Sequence, residues 1–409
     1  MSEWKQYRVG DVCEVFDGPH ATPPQSDSGP IYLGIPSIRS DGSIDYENSK
    51  RISYEDFPKW TKRVTPQEND VVFSYEANLE SYAIIPAGFK GCLGRRMAIM
   101  RPDSSAVDAR FLSYYMQSPA WKSTIASRTV LGATVNRIPI ATFPEFPLCL
   151  PPLSTQQRIA GVLSAYDKLI ESNRKQIKLL EEVAQRLYKE WFVDLRFPGH
   201  ETTPIHDGLP VGWKRGSLLG NIDYVRGRSY GSEDIRDTGA ARLINLNNVA
   251  SFGGWNAGAE KPYSGAHKKE QVVRGGDIVM AVTDMTKERR LVGHVARIPK
   301  DASGGIISMD LIKIVPKDMT PNYLYAYLRF SGVAEVIAML ANGTNVIHLK
   351  PEALSRAALL IPSKDLQVAY ANYLQPLFDT IEASQRQIAA AREARDRLLP
   401  KLMSGEIEV

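Results

Sequence analysis

Cysteine is scarce in this chain: three among 409 residues, Cys13, Cys92 and Cys149, scattered and odd in number. That excludes a disulfide framework and a cysteine-rich zinc site, and it fits a reducing cytoplasm. The six histidines (His20, His200, His206, His267, His294, His348) show no His-x3-His or similar ligand spacing. No run approaches the ~18–20 uninterrupted apolar residues that a membrane span needs. The opening MSEWKQYRVGD is charged and lacks an apolar h-region, so secretion is not expected. Neither sign of charge dominates: 50 Lys+Arg against 46 Asp+Glu leaves +4. Such a balance permits nucleic-acid binding without arguing for it, because a local basic face matters more than the sum. No Gly-rich loop has P-loop spacing, so ATP hydrolysis is not expected in this chain. The two Pro-Pro pairs stand in Thr22-Pro23-Pro24-Gln25 and Leu150-Pro151-Pro152-Leu153. Neither is the (Asp/Asn/Ser)-Pro-Pro-(Tyr/Phe) setting with which an adenine methyltransferase grips a flipped base. Ser, Cys and carboxylate residues form no catalytic grouping, so no enzymatic site is expected. What is present is ordinary globular composition, 43% apolar and 23% charged, over a length that suggests about two domains.

The chain repeats itself. The segment from Trp4 to Val12 matches Trp213 to Ile222, Asp70 with its Val-Val-Phe run matches Asp277, and Ile85-Pro86 matches Ile298-Pro299. Phe111-Leu112 matches Tyr323-Leu324. From Gly132 onward one register holds, pairing Gly132 with Gly343, Pro151 with Pro362, Gln156 with Gln367, Leu163 with Leu374, Ile170 with Ile381 and Leu187 with Leu398. Chance does not hold one register over some sixty residues, so each half is one structural unit and a pseudo-two-fold duplication follows. Within each half the texture changes once. Residues 1–152 and 213–363 are rich in Gly, Pro and short β-type runs, such as Asp70–Phe73, Tyr82–Ile85, Met97–Met100, Gln271–Val273, Asp277–Val282 and Leu311–Val315. Helical stretches near Ala109–Tyr115 and Asn322–Leu328 interrupt them, which predicts α+β domains.

After each domain Gly and Pro almost vanish. Residues 153–196 predict a long helix that Ser154 or Thr155 would cap; 197–212 read as a linker, and 364–409 as a second long helix with a tail. Heptad spacing places Ile159, Tyr166, Leu169, Asn173, Gln176, Leu180 and Leu187 in one seam, and Leu377, Ser384, Gln387 and Leu398 in its copy. A second line, Leu163, Ile170, Ile177, Ala184 and Trp191, widens the apolar face. Antiparallel pairing as a coiled coil would bring the polar middles together, Asn173 and Gln176 against Ser384 and Gln387. Pro376 stands where the first helix has Ala165, which predicts a kink. Helices of this length extend roughly 55–58 Å, enough to set two contact sites about one duplex turn apart.

Several phrases resemble the specificity subunits of type I restriction–modification systems. They are PPLSTQQRIAGVLSAYDKLIE (Pro151–Glu171), WFVDLRFPGHE (Trp191–Glu201), GLPVGWKRGSLLGNI (Gly208–Ile222), CLGRRMAIMRP (Cys92–Pro102) and the tail LLPKLMSGEI (Leu398–Ile407). The resemblance implies two target recognition domains, each reading one half of a bipartite, asymmetric sequence in double-stranded DNA. It implies that the helices dock two copies of a DNA-adenine methyltransferase (modification) subunit, with restriction (endonuclease/translocase) subunits outside. S-adenosylmethionine, ATP and Mg would then belong to those partners and none to this chain, whose place is the cytoplasm, away from membranes. The rival reading is a coiled-coil scaffold that binds protein partners and never touches DNA.

If DNA is gripped, Lys and Arg can donate to phosphates or guanine, and Asn can pair adenine. In the first domain the candidates are Arg39, Lys62, Arg63, Arg95 and Arg96, with Thr134, Asn136 and Arg137 in the Gly132 loop. In the second they are Arg226, Arg228, Arg236, Thr283, Asp284, Lys287, Arg289 and Arg290, with Asn345 in the Gly343 loop. Arg95-Arg96 and Arg289-Arg290 are expected at similar places in the repeat. The Gly132 and Gly343 loops read equally well as turns needing positive φ.

Overall fold

In the computed structural model the described residues are 4–39, 42–132, 135–235 and 241–409. Thr134 and Arg236 lie outside them. They form two compact units: the chain up to Ile170 together with Ala390–Val409, and Glu171–Ala389. Each unit is α+β, a strand-rich body packed on segments of the two long helices.

The strand-rich bodies share a plan. In the first unit, strands Cys13–Asp17, Met97–Pro102, Val71–Ser74 and Tyr82–Ile84 lie side by side in that order, all antiparallel. In the second, Ile222–Arg226, Leu311–Pro316, Ile278–Ala281 and Val295–Arg297 repeat the order and the pairing sense. Val71, Val72 and Phe73 are wholly buried, as are Val279, Met280 and Ala281. A strand buried on both faces reads as a continuous apolar run rather than an alternation. The segment Gln271–Val273 is not a strand. Lys269–Gln271 is a 3-10 turn and Val272 makes a single bridge to Ile306, because the Gln271 side chain folds back to accept the Lys268 N–H.

The repeat is enforced at one buried side chain in each half. Gln156 accepts the Asp108 N–H at 3.0 Å through Oε1 and donates to the Pro151 carbonyl at 2.9 Å. Gln367 accepts the Thr320 N–H at 3.0 Å and donates to the Pro362 carbonyl at 2.9 Å. Asp108 and Thr320 are themselves N-caps, of helices Ala109–Tyr115 and Pro321–Phe330. One amide thus ties the start of a domain helix to the start of a long helix.

The long helices run Leu153–Tyr188 and Lys364–Met403. Ser154 and Thr155 lie inside the first turn rather than capping it, since the Pro152 carbonyl already accepts from Thr155 and Gln156. The first helix closes in a π-turn, Lys189–Val193, which aims Trp191 and Phe192 at Tyr370 with ring centroids 5.5 and 4.7 Å away. The second passes through Pro376 as one helix, and Thr380 Oγ1 takes up the Pro376 carbonyl. In the first unit Asp167 pairs with Arg395 at 2.6 Å, while Ile159 and Leu402 line one cavity. In the second, Ser384 Oγ donates to Gln176 Oε1 at 3.4 Å and Trp191 meets Tyr370. Partners descend one helix as they ascend the other in both units, so the pairing is antiparallel, and the polar middles meet.

The seam differs in depth from the heptad reading. Ile159 and Asn173 are buried, but Leu169 is 45% exposed, and Gln176 and Gln387 are exposed. Tyr166, Leu180, Leu187, Leu377 and Leu398 are half-buried, whereas Ser384 is buried. The second line is more consistently buried, at Leu163, Ile170, Ala184 and Trp191, with Ile177 half-buried. Each helix packs on a strand-rich body as well as on its partner, so the buried stripe is broader than a coiled-coil seam and centred between the two lines. The stretch 197–212 is folded: Phe197 packs on Trp213 at 5.4 Å, and Ile205–His206 pairs with Leu209–Pro210 around Asp207-Gly208, both at positive φ.

Candidate nucleic-acid interface

Antiparallel register brings distant loops to one end of each sheet. In the first unit Asp17 lies opposite Ala98, and Ser74 opposite Met97. The segments after Asp17, after Ser74, before Met97 and before Tyr82 therefore share an end. The Val130–Ile138 loop joins them, since Glu76 bridges Arg137 and Ile138 N–H donates to the Tyr75 carbonyl. Arg63 reaches the same place through the Gly18 carbonyl at 3.4 Å and Asp17 at 3.9 Å. Thus Arg63, Arg95, Arg96, Asn136 and Arg137, far apart in sequence, are gathered. Lys62 is exposed beside Arg63, and Arg39 pairs with Asp45 at 2.9 Å.

In the second unit Arg226 lies opposite Ile312 and Ala281 opposite Leu311, so the corresponding end carries Arg226, Arg228 and the loop that follows Ala281. Thr283 and Asp284 pair with His348 and Ile347, which brings Asn345 to the same end. Asp284 is buried and organises the basic loop. Its carboxylate accepts from the N–H groups of Thr286 (2.6 Å), Leu291 (2.6 Å) and Val292 (3.0 Å) and from Thr286 Oγ1 (2.8 Å). Burial alone would raise its pKa; the three backbone N–H groups and the hydroxyl outweigh it, and the carboxyl lies below its ordinary range. Lys287 and Arg290 are exposed on this loop, and Arg289, at φ 53°, donates to the Ala338 carbonyl.

Three expectations need correction. Arg95-Arg96 and Arg289-Arg290 do not occupy similar places in the repeat. The first pair precedes strand Met97–Pro102, where the second half has Met309-Asp310; the second pair lies in the connection between Ile278–Ala281 and Val295–Arg297. The pairs reach equivalent ends of the sheets from different loops. Thr283 and Asp284 are buried in the Thr283–Asp284 pairing, so neither side chain is on the surface. Gly343 takes positive φ, 143°, but Gly132 does not: a Cβ there would strike the Val135 carbonyl, so close approach is what demands glycine.

Two carboxylates also stand at these ends, Asp17 and Asp310, where residue type alone points only to cations. Their signal is positional: each flanks a framework strand at a place the repeat aligns. Among the described residues no three His, Cys, Asp or Glu side chains are placed to hold a metal, and no helix is long and apolar enough to cross a membrane.

Comparison with known proteins agrees with this arrangement. Residues 1–182 match the family model described as the type I restriction modification DNA specificity domain. The type I restriction enzyme MjaIX specificity subunit of Methanocaldococcus jannaschii is 26% identical, over 99% of this chain and 89% of its own length. The HindI specificity subunit of Haemophilus influenzae is 20% identical over the whole of both chains. In fold, the crystal structure of the type I restriction–modification S subunit from M. genitalium matches with a TM-score of 0.60 at 14% identity, covering 98% of this chain and 96% of that one. With a duplicated domain-and-helix plan and relatives matched over nearly their full length, this chain is similar throughout to the specificity subunits of type I restriction–modification systems, and its residues 1–182 belong to the family of type I DNA specificity domains.

Proposed function

We propose that each strand-rich domain, 1–152 and 213–363, reads one half of a bipartite, asymmetric duplex sequence, and that the long helices serve both as spacer and as dock. Two copies of a DNA-adenine methyltransferase subunit would sit on the helices, with restriction subunits outside them. S-adenosylmethionine, ATP and Mg would enter with those partners, and the complex would work in the cytoplasm. The observation that carries this reading is the convergence of Arg63, Arg95, Arg96, Asn136 and Arg137, and separately of Arg226, Arg228, Lys287, Arg290 and Asn345, on equivalent ends of the two sheets. Cations from separate loops aimed one way can neutralise phosphates, while Asn and Arg among them can meet base edges.

The test is duplex binding by the complex with its methyltransferase partner across a salt series, beside methylome sequencing of cells with and without this chain. We expect a steep fall of log affinity with log salt, and a two-part adenine-methylated motif only when the chain is present. Removing Lys287 and Arg290 together should flatten the slope by roughly 0.9 for each phosphate that is no longer neutralised. Binding that ignores salt, or a stable complex that yields no motif and no DNA affinity, would establish the scaffold instead.

A further inference from the structure

The two sheet ends are alike in backbone and opposite in charge. Strand Cys13–Asp17 ends at Asp17, opposite Ala98; strand Ile222–Arg226 ends at Arg226, opposite Ile312. The neighbouring strand begins at Met97 in one sheet and at Leu311 in the other, each opposite the last residue of the next strand, Ser74 or Ala281. Arg96 and Asp310 immediately precede those starts. Equivalent positions therefore hold Asp17 and Arg96 in the first domain, and Arg226 and Asp310 in the second. The backbone at this corner is the same in both. Gly18 and Gly227 follow the strand ends, and a Cβ on either would come too close to the carbonyl oxygen three residues before the neighbouring strand begins, that of Gly94 or Ser308. The equivalence therefore rests on a shared close approach as well as on register.

These four side chains differ in how far the domain itself engages them. Asp17 Oδ2 is 3.0 Å from His20 Nε2, and Oδ1 is buried without a hydrogen-bond partner among the described residues. Arg96 sits at φ 72°, a conformation costly for a residue with a Cβ, and is held by Glu76 at 2.6 Å. Arg226 is 63% exposed, with Glu352 at 2.7 Å its ion-pair partner. Asp310 is half-buried and forms no ion pair or side-chain hydrogen bond among the described residues. At the same tip of each sheet a carboxylate and a guanidinium thus stand together, with their positions exchanged between the two domains.

We infer that these corner pairs, Asp17 with Arg96 and Arg226 with Asp310, are specificity-determining, and that they read base edges with opposite hydrogen-bonding sense in the two half-sites. A guanidinium donates to guanine O6 and N7, and a carboxylate accepts from the cytosine amino group. Where the first domain presents a carboxylate, the second presents a guanidinium, so domains docked alike would select opposite members of a G·C pair. The inference rests on the two-domain DNA reading and adds the residues by which the half-sequences differ.

The experiment is selection from a pool of random duplexes by the complex with its methyltransferase partner, comparing the natural chain with the double variant Arg226→Asp, Asp310→Arg. We expect one or two positions of a single half-motif to change and the other half to stay as it was. The milder variants Arg226→Gln and Asp17→Asn should each lower discrimination at one position of their own half by about tenfold; thermal melting confirms that each folds. If every variant folds and selects the natural motif unchanged, the inference is overturned while the two-domain reading stands. If the natural chain itself selects no two-part motif, it is that reading which fails.

Discussion

The two places where a strand-rich body meets the long helices stand at corresponding positions of a repeated sequence, yet they are built from different chemistry. In the first unit the Tyr114 hydroxyl donates to Asp167, which also takes an ion pair from Arg395 at 2.6 Å. The corresponding residues in the second unit are Ala326, Phe378 and Ala184, all buried and apolar. That unit is tied instead through other residues of the second helix. Arg297 pairs with Glu382 at 2.6 Å, both nearly buried, and lies over the Phe378 ring at 4.9 Å. Lys300 reaches Asp379 at 2.8 Å, and Asn322 reaches Gln375 at 3.0 Å. The counterpart of Arg297 is Ile84, and that of Glu382 is Glu171, exposed and paired with Lys175 on its own helix. A duplicated backbone keeps its hydrogen-bonded register while its ion pairs migrate, because a buried pair needs only mutual geometry, whereas a backbone amide needs a partner at one place.

The largest effect that would break this comparison is removal of one partner of the buried pair. Glu382→Ala should cost about 3–5 kcal/mol by leaving Arg297 charged and unpaired in a low-dielectric site. Denaturant unfolding followed by tryptophan fluorescence measures it. The double variant Arg297→Met, Glu382→Leu should recover most of that loss; a double variant no better than the single would show that the charges themselves are needed. The shared part of the design predicts an intermediate and equal response. Gln156→Ala and Gln367→Ala should each cost about 1–3 kcal/mol, since each orphans a buried N–H together with one carbonyl or, at Gln156, two. Hydrogen exchange at the Asp108 and Thr320 amides should quicken alike, and a marked inequality would mean that the two glutamine ties are not equivalent.

The smallest expected effect is local and pH-dependent. The Asp284 carboxylate is held below its ordinary range, so it contributes stability above the unfolded value of about 3.9 and loses it as pH falls through the lower folded value. The Leu291 and Val292 amides should stay protected below pH 4 and open only as Asp284 is protonated. Asp284→Asn should loosen them at neutral pH, for about 1 kcal/mol, with no counterpart in the first domain, where Ala77 stands at that position. Amide exchange that is insensitive to both would remove Asp284 as the organiser of the basic loop.

Much of this molecule was legible in its residues. The repeat, the two domain-and-helix halves and the meeting of Gln176 with Ser384 all follow from spacing, because helical period and a held register are local properties of the chain. The choice of cations was legible as residue type, but their places were not: Arg95-Arg96 and Arg289-Arg290 look alike in the sequence and come from different loops. Thr283 and Asp284 look like surface polar residues and are buried by pairing with Ile347 and His348, more than sixty positions on. The depth of the helix seam escaped for the same reason, since Leu163 and Ala184 are buried by a strand-rich body that a heptad does not describe.

What the sequence determined by itself is therefore the inventory: two copies of one unit, long amphipathic helices, no catalytic grouping and a scatter of cations. Strand order decided the rest. Antiparallel register in each four-stranded sheet places Asp17 beside Arg96 and Arg226 beside Asp310, and such register is set by packing on both faces of the sheet, a non-local quantity that no window of residues encodes.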